Sequence, residues 1–125
     1  MAFVDTNILL RWLLQDDPHQ CKLADQIITS AVPNSLIITD IVASEVSYIL
    51  RLQKMQRDVI ADSIQALHKI NSLIFEHEIL MSNLLAVYRT SSLDFADCYL
   101  LARSLREKIG LKTLDKKLYK MLQSE

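Results

Sequence analysis

The sequence predicts an α/β fold in which a small, mostly parallel sheet carries helices on both faces. Short apolar runs suited to buried strands alternate along the chain with amphipathic helical patterns. The chain has 125 residues, of which 50% are hydrophobic, and only one glycine and two prolines interrupt them. This composition indicates a compact, helix-rich body, and we expect residues 1–125 to form a single domain.

The first strand is predicted from the apolar run at residues 2–5. Thr6 or Asn7 can cap the helix that follows, which extends through Gln15. Asp16 and Asp17 break this helix and are interpreted as a loop and a cap. A proline in the first turn favours a second helix over 18–31.

The middle of the chain continues the alternation. A second strand is predicted at 36–39, and Asp40 is expected to cap a helix that ends near Gln53. An amphipathic helix is predicted over 57–71 because its apolar residues repeat on one face. A weaker third strand follows at 73–75.

The last third of the chain predicts helices over 77–89 and 94–108, the second of them closed by Gly110. A brief fourth strand is expected at 111–113, and Asp115 opens a last helix. A parallel sheet follows from this order of strands and helices.

Four acidic residues lie beside the apolar runs rather than in solvated charge blocks: Asp5, Glu45, Asp97 and Asp115. Ligands of parallel α/β sheets bind beyond the carboxyl ends of the strands, which is where these acids are expected. Two carboxylates about 4 Å apart repel by roughly 4 kcal/mol at an effective dielectric near 20. A hard divalent cation, Mg²⁺ or Mn²⁺, removes that repulsion. The sequence therefore predicts a metal-dependent hydrolase.

The formal net charge of −1 weighs against a nucleic-acid binder that acts through charge alone, but not against a nuclease whose metal supplies positive charge. Basic residues gather locally, either as a solvated helix face or as a rim that faces phosphates: Arg51, Lys54, Arg57, Arg103, Arg106, Lys108, Lys112, Lys116, Lys117 and Lys120. No apolar run is long enough to cross a membrane and no signal peptide is evident. With Cys21 and Cys98 interpreted as reduced thiols, we expect a cytoplasmic protein.

Three segments of the chain resemble PIN-domain ribonucleases, most closely the VapC-like toxins of toxin–antitoxin pairs. They are VDTNILL at the start, the glutamate at position 45, and DFADCYLLARSLREKIGLKTLDKKL near the end. The resemblance implies a three-layer α/β/α sandwich of four or five strands, since family members commonly add a final short strand. It also implies an endoribonuclease acting on single-stranded or structured RNA with Mg²⁺ or Mn²⁺, a homodimer and a cognate antitoxin.

The family's metal-binding acids correspond to Asp5, Glu45, Asp97 and Asp115. On this basis the first three bind one metal ion, and Asp115 completes that site or helps to hold a second ion. Three polar residues are expected to orient carboxylates or water: Thr6, Asn7 and Thr113. Asp94 is either an accessory ligand or only a helix cap.

Other interpretations of the chain remain open. The alternatives are a PIN-like binding module without catalysis and a housekeeping PIN nuclease without an antitoxin. A response-regulator receiver also clusters acids at strand ends, but Glu76, after the third strand, is not the aspartate acceptor it needs. Trp12 fits either the core or a dimer face, and Tyr48, Leu52 and Met55 fit either the core or an antitoxin groove. The three histidines are expected on the surface: His19, His68 and His77.

Overall fold

The computed structural model describes residues 1–124, and these contain seven helices and three strands. The contacts within the chain divide the protein into two compact units. The first unit is Met1–Glu78, and the second begins at Ile79. The α/β class with a small parallel sheet is confirmed.

The sheet lies in the first unit and has the strand order β1-β2-β3. The strands are β1 (Ala2–Phe3), β2 (Leu36–Ile38) and β3 (Leu73–Phe75), and both neighbouring pairs are parallel. The register pairs Ala2 with Leu36 and Ile38 with Phe75. Strands β2 and β3 consist of consecutive apolar residues, as expected of parallel strands that helices cover. All three carboxyl ends therefore lie at one edge of the sheet.

Four helices of the first unit alternate with these strands: α1 (Thr6–Leu14), α2 (Pro18–Ser30), α3 (Asp40–Leu52) and α4 (Arg57–Leu67). Their apolar faces form the core through side chains that are at most 2% exposed, including those of Leu9, Ile28, Leu50, Ile60 and Ile64. Burying each of these side chains contributes about 1.5–3 kcal/mol relative to leaving it in water. Asp17 caps α2 as the sequence suggests, because its carboxylate accepts from the amides of His19 and Gln20.

Two predicted helix caps are wrong by a residue or two. The N-cap of α1 is Asp5 rather than Thr6 or Asn7. The N-cap of α3 is Thr39, whose hydroxyl accepts from the Val42 amide at 3.2 Å, so Asp40 is the first residue inside the helix. In both cases neighbouring residues are all competent caps, and the end of strand pairing determines which one is used.

The second unit is helical over its described residues, which contain α6 (Phe95–Glu107), α7 (Lys116–Ser124) and all but the first residue of α5 (Glu78–Thr90). The side chains of Tyr88 and Phe95 meet edge to face, with ring centroids 5.8 Å apart. The Cys98 side chain is fully buried, and both cysteines are free thiols.

Three further predictions are corrected. Residues 111–113 are not a strand, so the sheet has three strands in residues 1–124 instead of four or five. Helix α4 ends at Leu67 instead of continuing to 71, because the amides that follow it turn back onto carbonyls three residues earlier. Helix α6 is closed by Lys108 in the left-handed conformation, with φ of 56°, and not by Gly110.

Within residues 1–124, no helix combines the length and the apolar character that crossing a membrane requires.

Candidate metal centre

Asp5 lies at the point where β1 ends and α1 begins. The Val4 amide donates to the Ile37 carbonyl at 3.0 Å, which is the last backbone bond to β2 before Asp5. The Asp5 backbone is extended, with φ of −78° and ψ of 151°, and its side chain is exposed and makes no capping hydrogen bond within α1. Its carboxylate is therefore placed at the positive end of a helix but is not consumed by that helix.

A hydrogen bond connects the start of α1 to Glu45 in the second turn of α3. The Thr6 hydroxyl donates to Oε2 of Glu45 at 2.8 Å. Thr6 is buried and only 6% exposed, whereas Glu45 is exposed. A buried donor thus holds one oxygen of an exposed glutamate, and this donor is the residue that follows Asp5. Asn7 is exposed in the first turn of the same helix.

In the second unit, Asp97 lies in the first turn of α6. Asp94 is the N-cap of this helix, since its Oδ1 accepts from the Asp97 amide at 3.0 Å. The pKa of Asp97 is raised above its ordinary value, foremost by burial and then by the negative charges of Asp94 and Asp115. Ionised Asp97 is therefore disfavoured by its surroundings when no cation is bound.

Asp115 lies just before α7 and is held on both sides by hydrogen bonds. Its Oδ1 accepts from the Leu118 amide at 2.9 Å, so it opens the helix as the sequence suggests. Its own amide donates to the Thr113 hydroxyl at 3.0 Å. Thr113 therefore positions the Asp115 backbone.

Each unit accordingly supplies two of the four predicted acids. The first unit holds Asp5 and the Thr6-bound Glu45. The second holds Asp97 and Asp115, which are close enough for their charges to interact. Oxygen ligands and mutual repulsion are the properties expected of carboxylates that bind Mg²⁺ or Mn²⁺. The residues present therefore fit a divalent cation chemically.

The structure also contains a group that sequence reasoning missed, made of Asp40, Glu76 and His77. One ligand atom from each residue lies within 4.8 Å of the others. Nδ1 of His77 is 2.8 Å from Oδ2 of Asp40 and 3.9 Å from Oε1 of Glu76. The surface prediction for all three histidines is confirmed, but the partners of His77 were not foreseen.

A signal for this group exists in the sequence. Asp40 follows β2 after one residue, and Glu76 and His77 directly follow β3, so all three lie at the carboxyl ends of neighbouring parallel strands. The same criterion selected Asp5. From its sequence Asp40 also fits a helix cap, and this hides the group, because Thr39 takes the capping role in the structure.

Comparison with curated proteins and with solved structures gives no significant match. A family model described as "PIN domain" matches residues 2–122, which is nearly the whole chain. PIN domains are generally nucleases that depend on divalent metal ions, and both acid pairs described above lie within the matched residues. The chain belongs to the PIN domain family.

Proposed function

We propose that this protein is a metal-dependent endoribonuclease, that it cleaves single-stranded or structured RNA, and that it is the VapC-like toxin of a toxin–antitoxin pair. The observation that carries the proposal is the hydrogen bond from Thr6 to Glu45 beside Asp5, in a chain of the PIN family. A hydrogen bond that orients one carboxylate beside another is the kind of support that metal-binding carboxylates receive.

In this proposal Asp5, Glu45 and Asp97 bind the first Mg²⁺ or Mn²⁺, and Asp115 completes that site or helps to hold a second ion. A bound ion supplies charge that stabilises the phosphoryl oxygens and lowers the pKa of water. One carboxylate accepts the proton of the attacking water as general base. Thr6 keeps Glu45 in place through its hydroxyl, and Asn7 is proposed to orient water or a carboxylate.

The basic residues of the second unit divide between the two interpretations given above. The guanidinium of Arg103 is bound by Glu107 one turn later and by the Tyr99 hydroxyl, as on a solvated helix face. Lys112, Lys116 and Lys117 are exposed and lie next to Asp115 in sequence. We propose that these lysines contact the RNA backbone.

An exposed apolar stripe on α3 supports the toxin assignment. Ile41, Tyr48 and Leu52 are 72%, 63% and 62% exposed, at helical spacings that place them on the same face as Glu45. An amphipathic helix of an antitoxin would cover this stripe and with it a proposed metal ligand. We further propose that residues 1–125 act as one domain, in a homodimer, in the cytoplasm.

The test is cleavage of a labelled single-stranded RNA by the purified protein in Mg²⁺, in Mn²⁺ and in EDTA. We expect cleavage only with metal, and a loss of at least 100-fold in Asp5→Asn. Asp25→Asn is the matched control, because it makes the same change at an exposed position of α2. Cleavage that persists in EDTA or in Asp5→Asn would overturn the proposal. A folded, antitoxin-free protein that is inert in every condition would favour the binding module instead.

A further inference from the structure

We propose that Asp40, Glu76 and His77 form a second cation site in the first unit, which takes a divalent transition-metal ion of the Zn²⁺ type. This site shares no residue with the four acids proposed for catalysis. It lies where β2 and β3 end, and it would tie the start of α3 to the segment between β3 and α5.

The spacing of the three side chains is close to that of a coordination sphere. Zinc binds nitrogen and oxygen at about 2.0–2.2 Å, so its ligand atoms lie about 3–4 Å from one another. Here Nδ1 of His77 lies 2.8 Å from Oδ2 of Asp40 and 3.9 Å from Oε1 of Glu76. All three ligand atoms lie within 4.8 Å of one another. Shifts on the order of 1 Å would convert this hydrogen-bonded arrangement into a metal site.

The environment of Asp40 provides an independent indication. Its side chain is only 10% exposed, and Oδ1 is buried without a hydrogen-bond partner among residues 1–124. Since Oδ2 contacts His77, the carboxylate is directed into the group. Buried carboxylate oxygens are normally satisfied, and a bound ion is one of the recognised explanations of an exception. The Thr39 hydroxyl already caps α3, so capping does not explain the burial of this carboxylate.

The backbone holds Glu76 in the same group. The Asp40 amide donates to Oε1 of Glu76 at 3.1 Å, which fixes the glutamate next to the first turn of α3. The Glu76 amide donates to the Ile38 carbonyl at 2.8 Å, which continues the β2–β3 pairing up to the site. Two of the three ligands are therefore placed by the sheet and not by flexible loops.

The ligand set selects the type of ion. An imidazole nitrogen favours Zn²⁺ and similar transition metals, whereas Mg²⁺ prefers oxygen ligands alone. Three protein ligands leave a position of a tetrahedral ion for water. His77, whose side chain is 54% exposed, gives an ion access from solvent.

The experiment uses the full chain with Asp5→Asn and Asp97→Asn, which removes the proposed catalytic centre. Zn²⁺ alone is titrated in competition with a chromophoric chelator, and Co²⁺ is used as a spectroscopic probe. We expect one equivalent of Zn²⁺ to bind, with an affinity that falls at least tenfold in His77→Gln and in Asp40→Asn. The visible Co²⁺ absorption should fall in the same two variants.

His68→Gln is the matched control, because His68 is a similarly exposed histidine that pairs with Glu78, 3.3 Å away, outside the group. Its Zn²⁺ affinity should equal that of the background. Circular dichroism establishes that each variant is folded. Unchanged Zn²⁺ affinity in His77→Gln, or an equal loss in His68→Gln, would overturn the second site. Neither result bears on RNA cleavage, because the background already lacks the proposed catalytic ligands.

Discussion

Replacing Thr6 by valine tests whether the Thr6–Glu45 hydrogen bond organises the proposed metal ligands. Valine has nearly the same shape, so it fills the buried position but removes the donor that lies 2.8 Å from Oε2. A hydrogen bond to a charged group contributes about 1.5–3 kcal/mol, and the exposure of Glu45 places this one at the lower end. For a chain of this size, a loss of about 1.5 kcal/mol lowers Tm by about 6 °C.

The effect on activity should be larger than the effect on stability. A residue that orients a metal ligand typically changes metal affinity or activity by about 10–100-fold. We therefore expect Thr6→Val to need more Mg²⁺ for half-maximal RNA cleavage and to have a lower kcat/KM. Thr6→Ser keeps the hydroxyl and should retain most of the activity. The assays are thermal melts without metal and RNA cleavage over a Mg²⁺ series. A Thr6→Val protein with wild-type Tm and wild-type Mg²⁺ dependence would refute the role of this hydrogen bond.

Three further changes test particular contacts. The pKa of Asp97 is raised in the folded state, so ionisation of Asp97 lowers the stability of the protein as the pH rises through that pKa. Asp97→Asn should therefore raise the metal-free Tm at pH 7. This gain in Tm should vanish below the ordinary pKa of aspartate. An unchanged Tm at pH 7 would contradict this. Lys108→Gly should raise the free energy of unfolding in urea by about 0.5–1 kcal/mol, because Lys108 has a φ of 56° that glycine adopts more easily. Arg106→Gly, inside α6, should lower the free energy of unfolding by about 1 kcal/mol. Equal effects of the two would be inconsistent with the cap. Ser72→Ala removes a buried donor that lies 2.6 Å from the Ile28 carbonyl oxygen. It should lower the free energy of unfolding by about 1–3 kcal/mol in the same assay. A decrease near zero would show that this hydrogen bond does not stabilise the fold.

Local sequence signals predicted much of the fold. The third strand at Leu73–Phe75 has the predicted bounds, and the capping roles of Asp17, Asp94 and Asp115 follow from their side chains and positions. In these cases a short polar side chain directly precedes a helical pattern. At these positions the preferences of the local sequence are sufficient to predict the structure.

Features that depend on how distant segments pair could not be predicted from the local sequence. Thr39 and Asp40 are equally good caps, and the choice between them depends on where β2 stops pairing. The same choice frees the Asp40 carboxylate to meet His77, 37 residues away in sequence. This contact follows from the register that pairs Ile38 with Phe75, which periodicity alone does not specify.

The loop between α6 and α7 shows a related limit. Leu111 to Thr113 has the composition of a strand, but a strand forms only where a neighbour offers backbone groups to pair with. Gly110 has the expected character of a helix end, yet the helix ends two residues earlier at Lys108. Composition located this helix end to within two residues and could not identify the capping residue.

The most direct test of the proposed catalytic centre compares Asp5→Asn, Asp97→Asn and the double variant in RNA cleavage and in Mn²⁺ binding. If the two carboxylates act on the same metal ion, each single variant removes most of the activity and the double variant loses little more. We predict this non-additive result, with loss of the same Mn²⁺ equivalent in all three proteins. Losses that multiply in the double variant, or full Mn²⁺ binding in either single variant, would contradict a shared metal centre.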